Sequence, residues 1–113
     1  MKKYAFFVFL VCVVTAMPTR AAIERNMTGA ELHTMCTSAS NLDYGFCAGY
    51  VTAVADALHG ASVAGYRACG HDGTRSQQLI DTYNAFADMF PGNLQDSADA
   101  AVAASLARAF PCR

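Results

Sequence analysis

Four cysteines, Cys36, Cys47, Cys69 and Cys112, limit the fold of this chain more than any other sequence feature. They follow an N-terminal export pattern, and an even cysteine set in a small exported chain usually forms disulfides. We therefore predict two disulfides and a small covalently stabilised domain. Four cysteines allow three pairings, and their spacing does not decide among them. Our working prediction is Cys36–Cys112 together with Cys47–Cys69.

The N-terminus has the three parts of a secretory signal peptide. Met1, Lys2 and Lys3 form a short basic region, and the segment from Tyr4 to Ala16 carries no charge. At about 13 residues, this segment has the length of a signal core and is too short to cross a membrane. We predict a cleaved signal over residues 1–21, a domain over residues 22–113, and no stable membrane anchor after cleavage.

Removal of the signal makes the chain acidic. Residues 22–113 contain five arginines, nine acidic residues and no lysine, which gives a net charge of −4. Nucleic acids and anionic lipids are bound by basic patches, so this composition argues against both as partners. A basic protein partner is compatible with it.

The hydrophobic periodicity and the capping residues predict helices throughout, and hence an all-α, small four-helix domain stapled by two disulfides. Thr28 and Glu31 have the spacing of a capping box for the first helix. The second helix is predicted from Asp43 or Tyr44 to about His59. Its small residues form a stripe that allows another helix to approach closely, and we expect a contact within the domain rather than across a dimer. The stripe consists of Gly49, Ala53 and Ala57.

The second half of the chain has the same helical character. Ala61 to Gly73 is predicted as a loop with one short helical turn, and Thr74 with Gln77 as a second capping box. The third helix has an apolar face of Leu79, Ile80, Tyr83, Phe86, Ala87 and Phe90. The last helix is predicted to begin at Asp96 or Ser97. Its inward residues are expected to be Ala98, Val102, Leu106 and Ala109.

No residue pattern in the chain indicates catalysis. A nucleophilic cysteine needs a thiolate beside a base, and disulfides would remove the thiols. His33 with Cys36, and His71 with Asp72, lack the paired spacing of zinc motifs, so we predict no metal and no cofactor. Asp56 lies beside the small-residue stripe, where a structural role is expected. The chain is therefore predicted not to be an enzyme.

Several segments together resemble the Rap/Tai family of type VI secretion immunity proteins over nearly the whole exported part. The most specific is the block from Phe46 to Ala57, with its Phe-Cys-x-Gly-Tyr sequence and the Asp that follows. The segment from Thr28 to Leu32 leads to the first cysteine of the pattern. The remaining matches are Cys69, Gln78, Leu79, Pro91, the Ala-rich segment, and the terminal Phe110, Pro111 and Cys112.

The resemblance implies a periplasmic homodimer that acts in bacterial competition. Such a protein binds a cognate peptidoglycan amidase effector of the papain-like type and blocks it sterically. It thereby protects the cell from effectors that the cell itself or its siblings deliver. On this chain the resemblance points to a partner-binding loop with Leu94 as an exposed apolar anchor. The loop consists of Pro91, Gly92, Asn93, Leu94, Gln95 and Asp96.

The alternative from another class is an acid-stress periplasmic chaperone of the small helical, disulfide-containing type. Such chaperones are usually rich in lysine and highly charged. The exported part of this chain has no lysine. An amidase inhibitor is therefore the preferred interpretation.

Overall fold

The computed structural model describes residues 26–113. Within that range it contains four α-helices and one 3₁₀ turn, with no strand: α1 Gly29–Cys36, α2 Asn41–Ala57, α3 Ser76–Met89, the 3₁₀ turn Pro91–Gln95, and α4 Ala98–Ala109. The predicted all-α, four-helix class is confirmed. The predicted signal, residues 1–21, lies outside the described residues. None of the described helices is both long and apolar enough to span a bilayer.

The predicted capping box at the start of α1 is confirmed. The Glu31 amide donates to Thr28 Oγ1 at 3.2 Å, and the Thr28 amide donates to Glu31 Oε2 at 2.8 Å. These two bonds satisfy amides that have no partner inside the helix. The start of α1 is therefore specified by residues only three positions apart.

Two of the predicted helix starts were wrong. α2 begins at Asn41, before the predicted Asp43, because Ser40 is its N-cap and accepts from the Asp43 amide at 3.5 Å. The Thr74 capping box does not form: Arg75 is the N-cap of α3 and makes no side-chain cap bond. The Thr74 amide instead donates to the carbonyl of His71 at 3.2 Å, so Thr74 closes a turn before the helix.

The predicted inner faces of α3 and α4 are largely confirmed. The buried residues of α3 are Leu79, Ile80, Tyr83, Phe86 and Ala87, whereas Phe90 is only half-buried at the C-cap. In α4 the predicted Ala98, Val102 and Leu106 are buried, together with Ala101, Ala103, Ala104 and Ser105. Ala109 was predicted to point inward and is exposed, because the last turn of α4 emerges from the core.

α1 and α4 pack closely against each other at Gly29. A Cβ placed on Gly29 would lie 2.8 Å from Ala101 Cβ, so a side chain at this position would require the helices to separate. The fully buried Tyr83 donates its hydroxyl to the Gly29 carbonyl at 2.7 Å. Burial, and secondarily Tyr50, raise the pKa of Tyr83, which therefore remains a protonated donor. Gly29 thus connects three helices.

The predicted disulfide pairing was wrong. The bonds are Cys36–Cys47 and Cys69–Cys112, with S–S distances of 2.04 Å and 2.02 Å. The short connection between α1 and α2 brings the first two cysteines together, at a Cα–Cα distance of 5.1 Å. The C-terminal segment runs beside the α2–α3 connection, where the Cys69 amide donates to the Phe110 carbonyl at 2.8 Å. Each bond therefore joins segments that already pack together.

The connection between α2 and α3, residues 58–75, contains a tight turn and not the predicted helical turn. Val63 and Tyr66 exchange backbone hydrogen bonds of 3.0 Å and 2.9 Å. Between them Ala64 and Gly65 have φ angles of 50° and 83°. Positive φ at both central residues is the requirement of a type I′ turn, which Gly65 meets without steric cost.

Candidate functional site

The predicted partner-binding loop is an ordered 3₁₀ turn. Pro91 lies at its first position, where a fixed φ and the missing amide hydrogen are both tolerated. The Asn93 amide donates to the Phe90 carbonyl at 3.0 Å, and the Asp96 amide donates to the Asn93 carbonyl at 3.2 Å. The Gly29 amide donates to the Asp96 carbonyl at 2.9 Å. The turn is therefore held to α1 as well as by its own hydrogen bonds.

The side chains of this turn differ in exposure. Pro91, Gly92, Gln95 and Asp96 are exposed, whereas Asn93 and Leu94 are half-buried. Leu94 packs against the hydrophobic core, so the expectation of an exposed side chain was wrong, and its role as a partner anchor stays a prediction. The reason is the glycine opposite: an added Cβ on Gly29 would lie 3.2 Å from Leu94 Cα, so the turn closes directly onto α1.

A groove between α3 and α4 adjoins the turn. It has a volume of about 340 Å³, and Met89 at its rim is 58 % exposed. The Arg108 guanidinium lies 4.7 Å above the ring of Phe90, the residue that precedes the turn. The groove is lined by Thr82, Ala85, Phe86, Met89, Ser105, Arg108 and Ala109. No sequence pattern indicated this groove, because a groove depends on how two helices pack.

The small-residue stripe of α2 faces solvent. Gly49, Ala53 and Ala57 are all exposed, and no atom of residues 26–113 lies within 4 Å of a Cβ placed on Gly49. The expected contact of this stripe within the domain was therefore wrong. Asp56 is exposed beside it, and its structural role stays a prediction.

Two large apolar side chains extend the exposed face of α2. Leu42 is 83 % exposed and Phe46 is 46 % exposed. Phe46 stacks on Tyr50 at a centroid distance of 6.1 Å, beside a hollow of about 330 Å³ that Asp99 also lines. Burial, and then the negative charge of Asp99, raise the pKa of Tyr50. We call Leu42, Phe46, Gly49 and Ala53 the α2 face.

Three polar residues that sequence analysis did not connect lie together at the end of α2. His59 Nδ1 is 2.7 Å from Asp72 Oδ1, and the rings of His59 and His71 are 4.4 Å apart. His33 is half-buried and packs edge-on against Tyr83. The four cysteines of residues 26–113 are all in disulfides, so none of them has a free thiol.

These features define a class of protein: a small helical domain cross-linked by two disulfides. Its exposed turn and its exposed apolar surfaces are suited to binding another protein. Comparison with known families gives the assignment, because residues 28–112 match the family described as Rap1a immunity proteins. The chain belongs to the Rap1a immunity protein family, which confirms the resemblance found in the sequence. No curated protein and no solved structure matches the chain.

Family membership sets the broad function. It indicates a role in immunity to a type VI effector, and it implies that the chain binds a cognate effector. Immunity proteins of this family are typically periplasmic and non-enzymatic.

Proposed function

We propose that this chain is a periplasmic immunity protein that binds a cognate peptidoglycan amidase effector and blocks it sterically. It protects the cell against its own effector and those of its siblings, and it is not itself an enzyme. The family match over residues 28–112 is the observation that carries this proposal. Two disulfides support an oxidising compartment, and with it a cleaved signal over residues 1–21.

The 3₁₀ turn is the proposed inhibitory element, together with the Asp96 that follows it. Its internal hydrogen bonds and its bond to α1 leave little conformational freedom to lose on binding, and a preorganised loop binds more tightly for that reason. The exposed tip of the turn consists of Pro91, Gly92 and Gln95, and it is small enough to enter a cleft. A tip seated over the cysteine and histidine of a papain-like amidase excludes the peptidoglycan substrate.

The groove beside the turn provides a second contact area. Met89 and Arg108 lie on its lining, and methionine and arginine are both enriched in protein interfaces. An apolar side chain of the effector fits a groove of this kind and would anchor the complex while the turn blocks the cleft. Leu94 supports the turn from inside, and the part of its side chain that stays accessible remains a proposed contact with the effector.

The net charge favours a basic effector. Residues 22–113 carry a charge of −4 with no lysine. Opposite net charges increase the association rate more than they increase the final affinity. We therefore expect the association rate with the effector to fall as the salt concentration rises.

Gly92→Arg is expected to weaken inhibition of the amidase by at least about tenfold, equivalent to about 1.4 kcal/mol of binding free energy. Apart from its chain neighbours, no atom of the described residues lies within 4 Å of a Cβ placed on Gly92, and its φ is outside the left-handed region, so the variant should fold normally. A long cation at the tip would prevent the turn from entering the cleft. The measurement is peptidoglycan hydrolysis by the effector that the wild-type protein captures in a pull-down from the same organism.

Two results would contradict the proposal in different ways. If the wild-type protein inhibits but Gly92→Arg inhibits equally well, the inhibitory contact lies elsewhere. If the wild-type protein leaves hydrolysis unchanged for every candidate amidase, the amidase assignment is wrong. General protection of an aggregating client at low pH, without selective effector binding, would instead support the chaperone alternative.

We further propose that the protein is a homodimer that associates through the α2 face. Small residues let two helices approach closely, and Leu42 and Phe46 supply apolar area that the monomer leaves exposed. These residues recur at spacings of three and four, so they lie on one side of the helix. A second copy would bury the same side chains symmetrically, as in most homodimers.

Gly49→Arg is expected to convert the dimer to a monomer, because the arginine would hold the two helices apart. Arginine is a better helix former than glycine by about 0.8 kcal/mol, so unfolding would not explain the loss. Sedimentation velocity of both proteins gives the oligomeric state, and Gly92→Arg is the matched control that should remain dimeric. A monomeric wild-type protein, or a dimeric Gly49→Arg, would exclude this interface.

A further inference from the structure

We propose that His59, His71 and Asp72 form a binding site for a divalent transition metal of the zinc class. One donor atom from each residue lies within 4.8 Å of the other two. The site is separate from the 3₁₀ turn and from the α2 face. It does not depend on the identity of the effector.

His71 is oriented as a metal ligand before any metal binds. It is 4 % exposed, and its Nε2 lies 2.8 Å from the carbonyl oxygen of Ala55. A carbonyl can only accept a hydrogen bond, so Nε2 carries a proton, and in the neutral imidazole Nδ1 is the nitrogen with the lone pair. Metal-binding histidines commonly donate their second nitrogen to a backbone carbonyl in this way, which sets the tautomer and the ring orientation.

The Nδ1 atom of His71 also lacks a partner. It is buried and accepts no hydrogen bond from any residue in the range 26–113. A buried acceptor without a partner is unfavourable, because water has been removed and nothing replaces it. A metal ion bound at Nδ1 would relieve that cost.

His59 and Asp72 supply the other two ligands. Two ligands of a tetrahedral zinc ion, each about 2.1 Å from it, lie about 3.4 Å apart. The 2.7 Å contact between His59 Nδ1 and Asp72 Oδ1 must therefore lengthen, and the proton that Nδ1 donates to the carboxylate must move to Nε2 or to solvent before Nδ1 can bind the ion. Their side chains are 45 % and 79 % exposed, so both can rotate while His71 stays in place.

The donor set selects the class of metal. Two imidazoles and one carboxylate suit zinc and its neighbours, whereas magnesium and calcium prefer oxygen ligands alone. Three protein ligands leave a fourth position for water or for a group from a partner. The beginning and the end of the 58–75 connection would then be linked by a metal as well as by packing.

The neighbouring backbone holds this cluster in place. The Thr74 amide donates to the carbonyl of His71, and the disulfide of Cys69 lies two residues before His71. The Phe110 ring lies 6.0 Å from the His71 ring, on the segment that the same disulfide ties down. Metal binding should therefore stabilise the α2–α3 connection and raise the melting temperature.

The test is calorimetric titration of the disulfide-bonded protein with zinc chloride, together with thermal unfolding in its presence. We expect one zinc per chain and a higher melting temperature. His59→Ala and Asp72→Asn should each weaken zinc binding at least about tenfold, since even the loss of an outer-sphere partner costs 10–100-fold. Both residues are exposed, so neither variant should unfold the protein.

Asp88→Asn is the matched control. Asp88 is 77 % exposed and lies 3.8 Å from a histidine, His33, but it has no second histidine beside it. Zinc affinity should be unchanged in this variant. Replacing the buried His71 risks unfolding, so its part in zinc binding is tested by the chemical shifts of the imidazole nitrogens with and without zinc. Zinc should shift the His71 Nδ1 signal and leave the His33 signals unchanged.

The proposal is overturned if the wild-type protein shows neither zinc binding nor a rise in melting temperature. It is also overturned if zinc binds equally well to His59→Ala and Asp72→Asn, or if the His71 Nδ1 signal does not move. In each of these cases His59 and Asp72 form only a hydrogen-bonded contact.

Discussion

Replacing both Cys69 and Cys112 with alanine is expected to lower the free energy of unfolding by about 4 kcal/mol. The two residues are 43 positions apart, so their bond removes much of the conformational freedom of the unfolded chain. Both side chains are exposed, which means that alanine leaves no cavity in the core. The loss would therefore come mainly from the unfolded state.

Urea unfolding followed by circular dichroism measures this loss. The Cys36–Cys47 bond is the internal comparison: it encloses only 11 positions, for which the same entropy relation gives about 3 kcal/mol. Both of its cysteines are buried, so its removal adds a packing cost that the other variant lacks. If the free energy of unfolding of the Cys69/Cys112 variant falls by less than about 1 kcal/mol, this bond does not restrict the conformational freedom of the unfolded chain as proposed.

The second large effect is expected from Tyr83→Ala, which should cost about 4 kcal/mol, in the range for large-to-small core substitutions. Tyr83 is fully buried and connects α3 to the first residue of α1 through its hydroxyl. Alanine removes both the ring and the hydrogen bond. The cavity would lie where α1, α3 and α4 meet, beside the backbone of Gly29.

Tyr83→Phe separates the two contributions, because it keeps the ring and removes only the hydroxyl. We expect about 1 kcal/mol for the hydrogen bond, so most of the alanine effect should come from packing. Chemical denaturation of both variants gives the two values. Equal losses for phenylalanine and alanine would show that the ring contributes little and that our account of this contact is wrong.

Features that depend on neighbouring residues were predictable from the sequence. The Thr28 capping box joins residues three positions apart, and it forms as predicted. The apolar face of α3 repeats with the period of one helix, and all of it except the half-buried Phe90 is buried as predicted. The position of the exposed turn also followed from its residues, because Pro91 cannot continue the preceding helix.

Features that depend on packing between helices were not predictable. Leu94 was expected at the surface, but the missing side chain of Gly29 lets the turn close and covers it. The α2 stripe was expected to be covered, yet no described helix reaches it. Small residues permit a close approach without specifying which partner approaches, so their sequence pattern suits the interior and the surface equally well.

By itself the sequence determined the helices, the number of disulfides, the acidic charge and the family resemblance, since each depends on residue type or on short-range spacing. Only the tertiary structure decided which cysteines pair and which faces stay open. It alone brought His59 together with His71 and Asp72. The physical reason is that these contacts join residues far apart in the chain, and their distances are set by how the helices and the connection between them pack.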